Sequence, residues 1–350
     1  MPDPVADLLA FIDRSPTPYH AVVETERRLL AGGFERVSEQ DLWSLGPGSR
    51  CFLIRNQGSL AAFEVGSLPP VQGGFRILGA HTDSPNLRLK PRADLAAHGY
   101  QLLAVEPYGG ALLHTWLDRD LSLAGRVTVR GERGIETLLL DFARPLLRVP
   151  NLAIHLQREI SEKGLKLDPQ KHMAPVMGLE GSPDASNLIA AELRAQGLSA
   201  ATREEILAFD LMAYDTQPSG TSGSRGEFIH APRLDNLASC HAALTALADP
   251  PGGGRKPPPF TKLVVLYDHE EVGSRSAQGA ASTLLADTLD RVVTGFEGDV
   301  DVKKIAKALK NELACGGTYK NGIIELQGDH RKKMKELLVT LGFDEDSISE

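Results

Sequence analysis

Three short segments of the chain carry the residue types that bind divalent metals and move protons. Two of them follow apolar runs that predict buried strands, and one precedes a segment with helical periodicity. In open α/β sheets, sites are built where strands stop and helices start, so we expect these segments to lie close together. The three segments are His81-Thr82-Asp83, Asp235-Asn236 and Asp268-His269-Glu270-Glu271.

The first two segments each have an alternative interpretation without a metal. Side chains two residues apart in an extended backbone point the same way, so Asp83 can hold the ring of His81, as carboxylates do for metal-binding histidines. An isolated His-x-Asp pattern is nevertheless weak evidence of a metal site. Asp235-Asn236 taken alone favours a helix N-cap, since both residue types prefer that position.

The third segment is harder to explain by packing. Glu270 and Glu271 follow the apolar strand KLVVLY directly, and carboxylates at a buried strand end repel each other. A cation would relieve this repulsion, and the two residues could then divide the work. One Glu would coordinate the cation while the other accepts a proton from water. A charged, solvent-exposed loop remains the alternative.

Other common chemistries find little support in the sequence. No Gly-x-Ser-x-Gly, P-loop or Gly-x-Gly-x-x-Gly pattern is present. Cys240 and His241 are adjacent, and adjacent side chains diverge on a helix. The three cysteines are scattered singly, which argues against a thiolate zinc site and fits a reducing compartment.

The composition is that of a soluble globular protein. The 350 residues are 42% hydrophobic and 24% charged, with a formal net charge of −8. No apolar run reaches the roughly 18 to 20 residues of a membrane-spanning helix. The first residues lack the basic start and long apolar stretch of a secretory signal, so we expect a cytoplasmic protein. The acidic balance disfavours nucleic acid as partner of the whole chain, though not of a local patch.

The pattern of elements changes twice along the chain. Two helices with a break at SPTP, a strand pair around Gln57-Gly58 and the strand FRILGAH open the sequence. Short alternating segments then predict a β-rich insertion over 92–230, after which a helix and the strand KLVVLY return. Beyond Gly295 we expect an amphipathic helix, a hairpin turned at Asn321-Gly322, and a helix capped by Asp329 and closed by Gly342.

Taken together, these segments resemble the aspartyl aminopeptidase family of cocatalytic zinc peptidases. The resemblance implies a catalytic α/β domain interrupted by a dimerisation domain, removal of N-terminal Asp or Glu from peptides, and a large homo-oligomer. The motifs that carry it lie in order over about residues 5–295: SPTPYHAV, GAHTDSPNLRLKP, YGGALLHTWLDRDLSLAGRV, VPNLAIHLQR, EFIHAPRLDNLASC and YDHEEVGSRSAQGA.

By that resemblance, each candidate residue receives a role. His81 would ligate one zinc with Asp83 orienting it, and Asp235 would bridge two zincs. Glu270 would be the general base, and Glu271 would ligate the second zinc. His155, in the AIHL motif, would reach an active site, that of a neighbouring subunit; a structural histidine is an equal alternative.

The resemblance stops near Gly295. The family normally supplies a further Asp from an S-A-D-x-A-H-type motif and a last His from an M-H-S-type motif, and neither occurs in this sequence. One zinc would then keep His81 and Asp235, and the other Asp235 and Glu271, where hydrolytic sites usually have three protein ligands. We therefore expect incomplete zinc occupancy, impaired activity, and a truncated catalytic sheet with an unpaired edge around KLVVLY.

The C-terminal segment resembles a different family. ELACGGTYKNGIIELQGDHRKKMKELLVTLGF is similar to the second half of the translation initiation factor one (Sui) fold. Basic residues outnumber acidic ones in this segment, which suits contact with ribosomal RNA phosphates. A solvated helix face is the alternative. The basic residues are Lys303, Lys304, Lys307, Lys310, Lys320, Arg331, Lys332, Lys333 and Lys335.

The sequence thus predicts a chimera of α/β class. A phosphorylase/hydrolase-like zinc peptidase sheet is interrupted by a β-rich dimerisation domain, and a small α+β module follows. The expected divisions are 1–91 and 231–295 for the catalytic domain, 92–230 for the insertion and 296–350 for the module. The resulting hypotheses are a zinc aminopeptidase of impaired activity and, alternatively, a ribosome- or RNA-binding protein.

Overall fold

The computed structural model describes residues 3–131, 134–248, 256–296, 302–320, 323–341 and 348. Within these ranges, no helix is long and apolar enough to cross a membrane. Short 3-10 turns cover Leu113–Trp116, Ile154–Leu156, Arg203–Glu205 and Glu270–Val272. The helices are α1 (Pro4–Asp13), α2 (Pro18–Ala31), α3 (Pro70–Gly73), α4 (Ile160–Lys163), α5 (Ala185–Ala195), α6 (Leu234–Ala248), α7 (Leu284–Gly295), α8 (Val302–Glu312) and α9 (Arg331–Thr340).

The strands form two large sheets and two hairpins. The first sheet has the order β1-β2-β3-β13-β4, and the second has the order β8-β7-β10-β5-β6-β9. The strands are β1 (Glu35–Arg36), β2 (Arg50–Arg55), β3 (Ser59–Glu64), β4 (Phe75–His81), β5 (Asn86–Ala97), β6 (Tyr100–Tyr108), β7 (Leu121–Gly131), β8 (Gly134–Asp141), β9 (Val176–Leu179), β10 (Ile206–Asp215), β11 (Gly220–Ser222), β12 (Phe228–His230), β13 (Thr261–Tyr267), β14 (Gly317–Lys320) and β15 (Ile323–Leu326).

The N-terminal helix pair forms as its sequence predicts. Asp3 caps α1 by accepting the backbone N–H of Val5, and Pro4 occupies the first turn, where its missing N–H costs nothing. Thr17 caps α2 in the same way and is followed by Pro18. The SPTP segment therefore both ends one helix and starts the next.

The first sheet is mixed and has apolar clusters on its two faces. One cluster joins Phe11 of α1 and Leu244 of α6 to Val264 of β13, and the other joins Trp43 to Val292 of α7. The expectation of an open edge at KLVVLY is wrong, because β13 pairs with β3 on one side and with β4 on the other. Among the described strands, β4 has a single neighbour, so the sheet ends there.

The second sheet is antiparallel and has its own core. All six strands come from residues 86–215, and a cluster including Leu103, Val127, Leu140 and Leu193 is buried beneath them. The first strand begins at Asn86, somewhat before the change of pattern that the sequence shows at residue 92. Residues 82–85 thus connect β4 of the first sheet to β5 of the second.

The C-terminal segment contains α8, the β14–β15 hairpin and α9, in the predicted order. The predicted cap of the last helix is wrong: His330 occupies the N-cap position, while the Asp329 carboxylate accepts the backbone N–H and a guanidinium N–H of Arg331. The expected turn at Asn321-Gly322 and the closing Gly342 lie outside the described residues, as do residues 249–255 between α6 and β13.

Candidate active site

Two of the three segments converge because the strands that precede them are parallel neighbours. β4 ends at His81, and β13 runs beside it in register, with Tyr267 opposite His81. The Thr82 N–H donates to the Tyr267 carbonyl at 2.7 Å, which locks the two strand ends together. The residues that follow each strand therefore emerge at the same edge of the sheet, where open α/β sheets build their sites.

His81 lies at the centre of the cluster. Its Nδ1 lies 3.0 Å from the Asp83 carbonyl oxygen and 3.4 Å from the Asp83 carboxylate. Its Nε2 faces Asp235 Oδ1 at 3.3 Å and Glu270 Oε2 at 3.7 Å. Burial lowers the pKa of His81, but the contacts with Asp83 and the charge of Glu270 outweigh it and raise the pKa to about 9.

The Asp83 carboxylate is buried and accepts hydrogen bonds from several elements. The Tyr108 hydroxyl donates to Oδ2 at 2.7 Å, and the backbone N–H groups of Glu270 and Glu271 donate at 3.2 and 3.1 Å. Burial raises the pKa of this carboxyl, and the hydrogen bonds from His81, Tyr108 and the two amides more than compensate, leaving it below its usual value. Asp83 therefore remains ionised.

Asp235 stands at the kinked start of α6. Its backbone is not helical, the Asp235–Asn236 peptide is cis, and its carbonyl accepts the Ser84 hydroxyl at 2.9 Å. The side chain is 85% exposed and points to His81 Nε2. A carboxylate that faces His81 Nε2 at this distance fits the metal-site interpretation.

Glu270 and Glu271 contact different partners. They begin a single 3-10 turn, Glu270–Val272, preceded by His269 with φ at 63°. Glu270 is half exposed and faces His81, while Glu271 contacts the Gly110 N–H at 3.5 Å. Burial raises the pKa of Glu271. Gly109 allows this approach, because a Cβ there would lie 2.6 Å from Glu271 Oε2.

His155 is the one predicted site residue that the structure does not bring to the cluster. It lies in the exposed 3-10 turn Ile154–Leu156, in the connection between β8 and β9 of the second sheet. Within the described residues, no contact joins it to His81 or Asp235. Leu152, Ile154 and Leu156 around it are also exposed, by 58%, 51% and 75%.

Sequence reasoning missed two features of this site. Tyr108 belongs to the YGG motif, but nothing in a single aromatic residue at a strand end signals a bond to a carboxylate 25 positions earlier. Asp268 belongs to the acidic cluster, where the sequence suggests no role for it. It is fully buried, one of its oxygens has no hydrogen-bond partner among the described residues, and burial followed by the charge of Asp83 raises its pKa to about 7.

A cavity of about 610 Å³ lies beside the cluster, between the two sheets. Asp235 and Ser84 border it on one side, and Trp116, Arg119 and Asp215 on the other. This is the size range of small-ligand sites, and Asp235 provides direct access to the acidic cluster.

Comparison with known proteins decides the family. The family described as "Aminopeptidase I zinc metalloprotease (M18)" matches residues 11–312. A probable M18 family aminopeptidase 2 of Pseudomonas entomophila is 41% identical over 334 residues, which cover 94% of this chain and 75% of the relative. A protein of the same name from Streptomyces coelicolor is 45% identical, over 84% of this chain and 66% of its own length. The chain belongs to the M18 family.

Solved M18-type structures share the fold. The Ape4 chain in a complex with Nbr1 matches with a TM-score of 0.78 and 36% identity, over 84% of this chain and 60% of that chain. Chaetomium thermophilum mApe1 matches with a TM-score of 0.74 and 33% identity, over 84% and 69%. The chain thus spans less than two thirds of the length of its Streptomyces coelicolor relative and of Ape4.

The C-terminal segment has a family match of its own. The family described as "Translation initiation factor SUI1" matches residues 291–344. This match overlaps the end of the M18 match, which continues past the boundary expected at Gly295. Both resemblances predicted from the motifs are therefore confirmed.

The donor atoms of the cluster fit part of the zinc site that M18 membership implies. Two ligands of a tetrahedral zinc, each 2.0–2.1 Å from the metal, lie about 3.3 Å apart. This is the separation of His81 Nε2 and Asp235 Oδ1, and the opposite ring nitrogen is held by Asp83, as in metal-binding histidines generally. Among the described residues, however, no group of three or more His, Cys, Asp or Glu side chains forms a ready metal cage.

Proposed function

We propose that this M18 chain is a zinc aminopeptidase whose active site is the His81–Asp235–Glu270 cluster. The observation that carries the proposal is the His81 ring, with one nitrogen fixed by Asp83 and the other facing two carboxylates. His81 is buried, yet its Nε2 faces Asp235, which lines the cavity.

Each residue keeps the role that the family motifs imply. His81 and Asp235 would hold one zinc, and Asp235 with Glu271 a second. Zinc bound there would lower the pKa of a coordinated water and polarise the scissile carbonyl. Glu270, half exposed and facing His81 at the edge of the cluster, accepts the proton of the attacking water and returns it to the leaving amine.

The substrate class proposed is peptides with N-terminal Asp or Glu. Support comes from the motif resemblance and from two arginines that line the cavity: Arg119, whose Nη1 pairs with Asp215 at 2.6 Å, and Arg233. The guanidinium of Arg233 has few hydrogen-bond partners among the described residues. Its Nη2 donates to the Ile12 carbonyl, and its buried Nε has no hydrogen-bond partner there. Burial lowers the pKa of Arg233 to about 10, so it stays cationic at neutral pH.

The proposed assembly is a homo-oligomer in which the insertion contacts another subunit. One solved relative, S. cerevisiae mApe1, is described as a dodecamer and is 27% identical with a TM-score of 0.67. The exposed apolar residues around His155 suit an interface of this kind, with His155 reaching a neighbouring active site. The division into 1–91, 92–230, 231–295 and 296–350 and a cytoplasmic location belong to the same proposal.

Zinc binding is proposed to be weaker than a complete ligand set allows. Each metal would have two protein ligands from the cluster instead of the usual three. Zinc stoichiometry measured together with turnover of an Asp-linked chromogenic substrate tests this. The expected result is fewer than two tightly bound zincs per chain and little release of Asp. Two tight zincs with robust turnover would refute the ligand deficit.

A second candidate function, binding to ribosomal RNA, is favoured by the match of residues 291–344 to the SUI1 family. Lys332 and Lys333, on the exposed first turn of α9, suit phosphate contacts. Salt-dependent association with small ribosomal subunits tests this function. Neutralising both lysines should reduce the salt slope by about one unit for each phosphate that is no longer bound. Absence of binding at low salt would reject it.

A further inference from the structure

Tyr108 connects the second sheet to the candidate zinc site. It ends β6, is 7% exposed, and donates its hydroxyl to Asp83 Oδ2 at 2.7 Å. Burial and the hydrogen bond to Asp83 raise the pKa of this phenol, so the hydroxyl keeps its proton and acts as a donor. Charge-assisted hydrogen bonds of this kind are about twice as strong as neutral ones.

The two oxygens of the Asp83 carboxylate have different partners. Oδ2 accepts from Tyr108 and from the Glu271 N–H, while Oδ1 accepts from the Glu270 N–H and lies 3.4 Å from His81 Nδ1. Removing the Tyr108 hydroxyl leaves Oδ2 with one donor in a buried environment. The carboxylate must then rotate or rehydrate, and either response disturbs both His81 and the turn that bears the two glutamates.

The Tyr108 ring is itself held in place by a chain of contacts from other elements. The Arg88 guanidinium stacks over it at 4.4 Å and pairs with Asp210 at 3.1 Å. Asp210 in turn accepts the Tyr19 hydroxyl at 2.5 Å. Strands β5, β6 and β10 and helix α2 therefore fix the direction from which the hydroxyl reaches Asp83.

We propose that Tyr108 is a positioning residue of the zinc site. Acting through Asp83, it fixes the tautomer and angle of His81 and the placement of Glu270 and Glu271, so the second sheet completes the site without supplying a ligand. This inference rests on the proposed zinc-binding function. Partners of this kind typically change metal affinity 10- to 100-fold when they are removed.

The test replaces Tyr108 by Phe in the full chain, which keeps the ring stacked on Arg88 and removes the hydroxyl. Zinc affinity is measured by competition with a chromophoric chelator, and we expect a loss of about tenfold or more. The matched control is Tyr214→Phe, which removes a hydroxyl bonded at 2.7 Å to Asp141, a carboxylate that is not among the described partners of His81. The control should retain the wild-type zinc affinity.

A double-mutant cycle with Asp83→Asn separates positioning from general destabilisation. If Tyr108 acts through Asp83, the double variant should lose much less zinc affinity than the product of the two single losses. Independent, multiplicative losses would overturn the proposal, as would a Tyr108→Phe affinity within twofold of wild type. The cycle compares the effect of Tyr108→Phe in two backgrounds, wild type and Asp83→Asn. A general destabilisation that is the same in both backgrounds therefore cancels.

A metal-free measurement keeps this inference separate from the proposed function. The ring ¹⁵N shifts of His81, assigned with His81→Gln, report the hydrogen bonding of its two ring nitrogens in chelator-treated protein. We expect them to change in Tyr108→Phe and not in Tyr214→Phe; unchanged shifts in Tyr108→Phe would overturn the positioning role. If the wild-type chain binds no zinc, the proposed function fails, and these shifts still decide whether Tyr108 positions His81.

Discussion

Tyr267 and His81 lie opposite each other at the ends of the parallel strands β13 and β4. This register, fixed by the Thr82 N–H on the Tyr267 carbonyl, places Asp83 beneath the turn that starts at Glu270. A shift of one residue would turn His81 to the other face of the sheet. The pairing of two apolar strands therefore determines the geometry of a polar site.

Glu270→Gln tests the assignment of the general base. The amide keeps the shape of the side chain but cannot accept the proton, so whatever turnover the wild type has at saturating zinc should fall by about 10²- to 10⁴-fold while bound zinc is unchanged. Steady-state kinetics and metal analysis of the same sample check this. Parallel loss of zinc and turnover would instead identify Glu270 as a ligand.

Gly109→Ala tests the close approach of Glu271 to the YGG loop. The residue has φ at 68°, and its new Cβ would lie 2.6 Å from Glu271 Oε2. We expect Glu271 to move, with weaker zinc binding and lower turnover. Gly99→Ala is the control, since Gly99 has φ at 80° but open space around it.

Both alanine variants should lose about 1 kcal/mol of unfolding free energy from backbone strain alone. Chemical denaturation measures this shared cost, and zinc titration measures the effect specific to Gly109. Equal zinc affinity in the two variants would show that the position of Glu271 does not matter for metal binding.

His20 gives the fold a specific pH dependence. Burial, followed by the charge of Arg233, lowers the pKa of His20 to about 4 from an ordinary value of 6.5. Below pH 6.5 the unfolded chain takes up a proton that the folded chain refuses, so stability falls as the pH drops from 6.5 towards 4. The slope for one proton is about 1.4 kcal/mol per pH unit.

The variant His20→Asn should remove this contribution. Its amide oxygen can still accept the Thr17 hydroxyl, which lies 2.8 Å from His20 Nδ1. Denaturation of wild type and variant at pH 7 and pH 5 should show a smaller acid-induced loss for the variant. The exposed His98→Asn serves as the control, and an equal change in both variants would contradict the assignment.

The outer edge of β4 should promote self-association. Arg76, Ile77, Leu78 and Gly79 are exposed, with Ile77 at 43% and Leu78 at 50%, and the described strands leave this edge unpaired. Open apolar edges are templates for pairing with another chain. Ile77→Lys and Leu78→Lys together should reduce the mass of large species in light scattering.

Val71→Lys is the matched control for this prediction, because Val71 is 76% exposed but belongs to α3 and not to the unpaired strand. It should leave the size distribution unchanged. If the β4 double variant associates as strongly as wild type, the edge does not drive assembly.

Much of the site is predictable because it follows strand ends. The runs FRILGAH and KLVVLY are strongly apolar and stop abruptly at charged residues, so the sequence predicts both the strands and the acidic cluster. Strand order is not predictable in this way, since β13 is inserted between β3 and β4 by contacts distant in sequence. This is why the sequence suggests an open edge at β13, whereas the structure has it at β4.

The supporting contacts are less predictable than the site residues. Asp235 is of a residue type that favours helix N-caps, and only the kink at the start of α6 turns its carboxylate to His81. Tyr108 reaches Asp83 because two sheets meet, which no local pattern encodes. Similarly, His155 makes no contact with His81 or Asp235 among the described residues, so the role proposed for it would require a second subunit.

The central claim is that His81 and Asp235 form the metal-binding core of this M18 chain. The most direct test is zinc binding to wild type, His81→Gln and Asp235→Asn, measured by chelator competition on the metal-free full chain. We predict that wild type binds zinc and that each substitution weakens binding by at least tenfold. Zinc affinity that is the same in all three proteins would contradict the account.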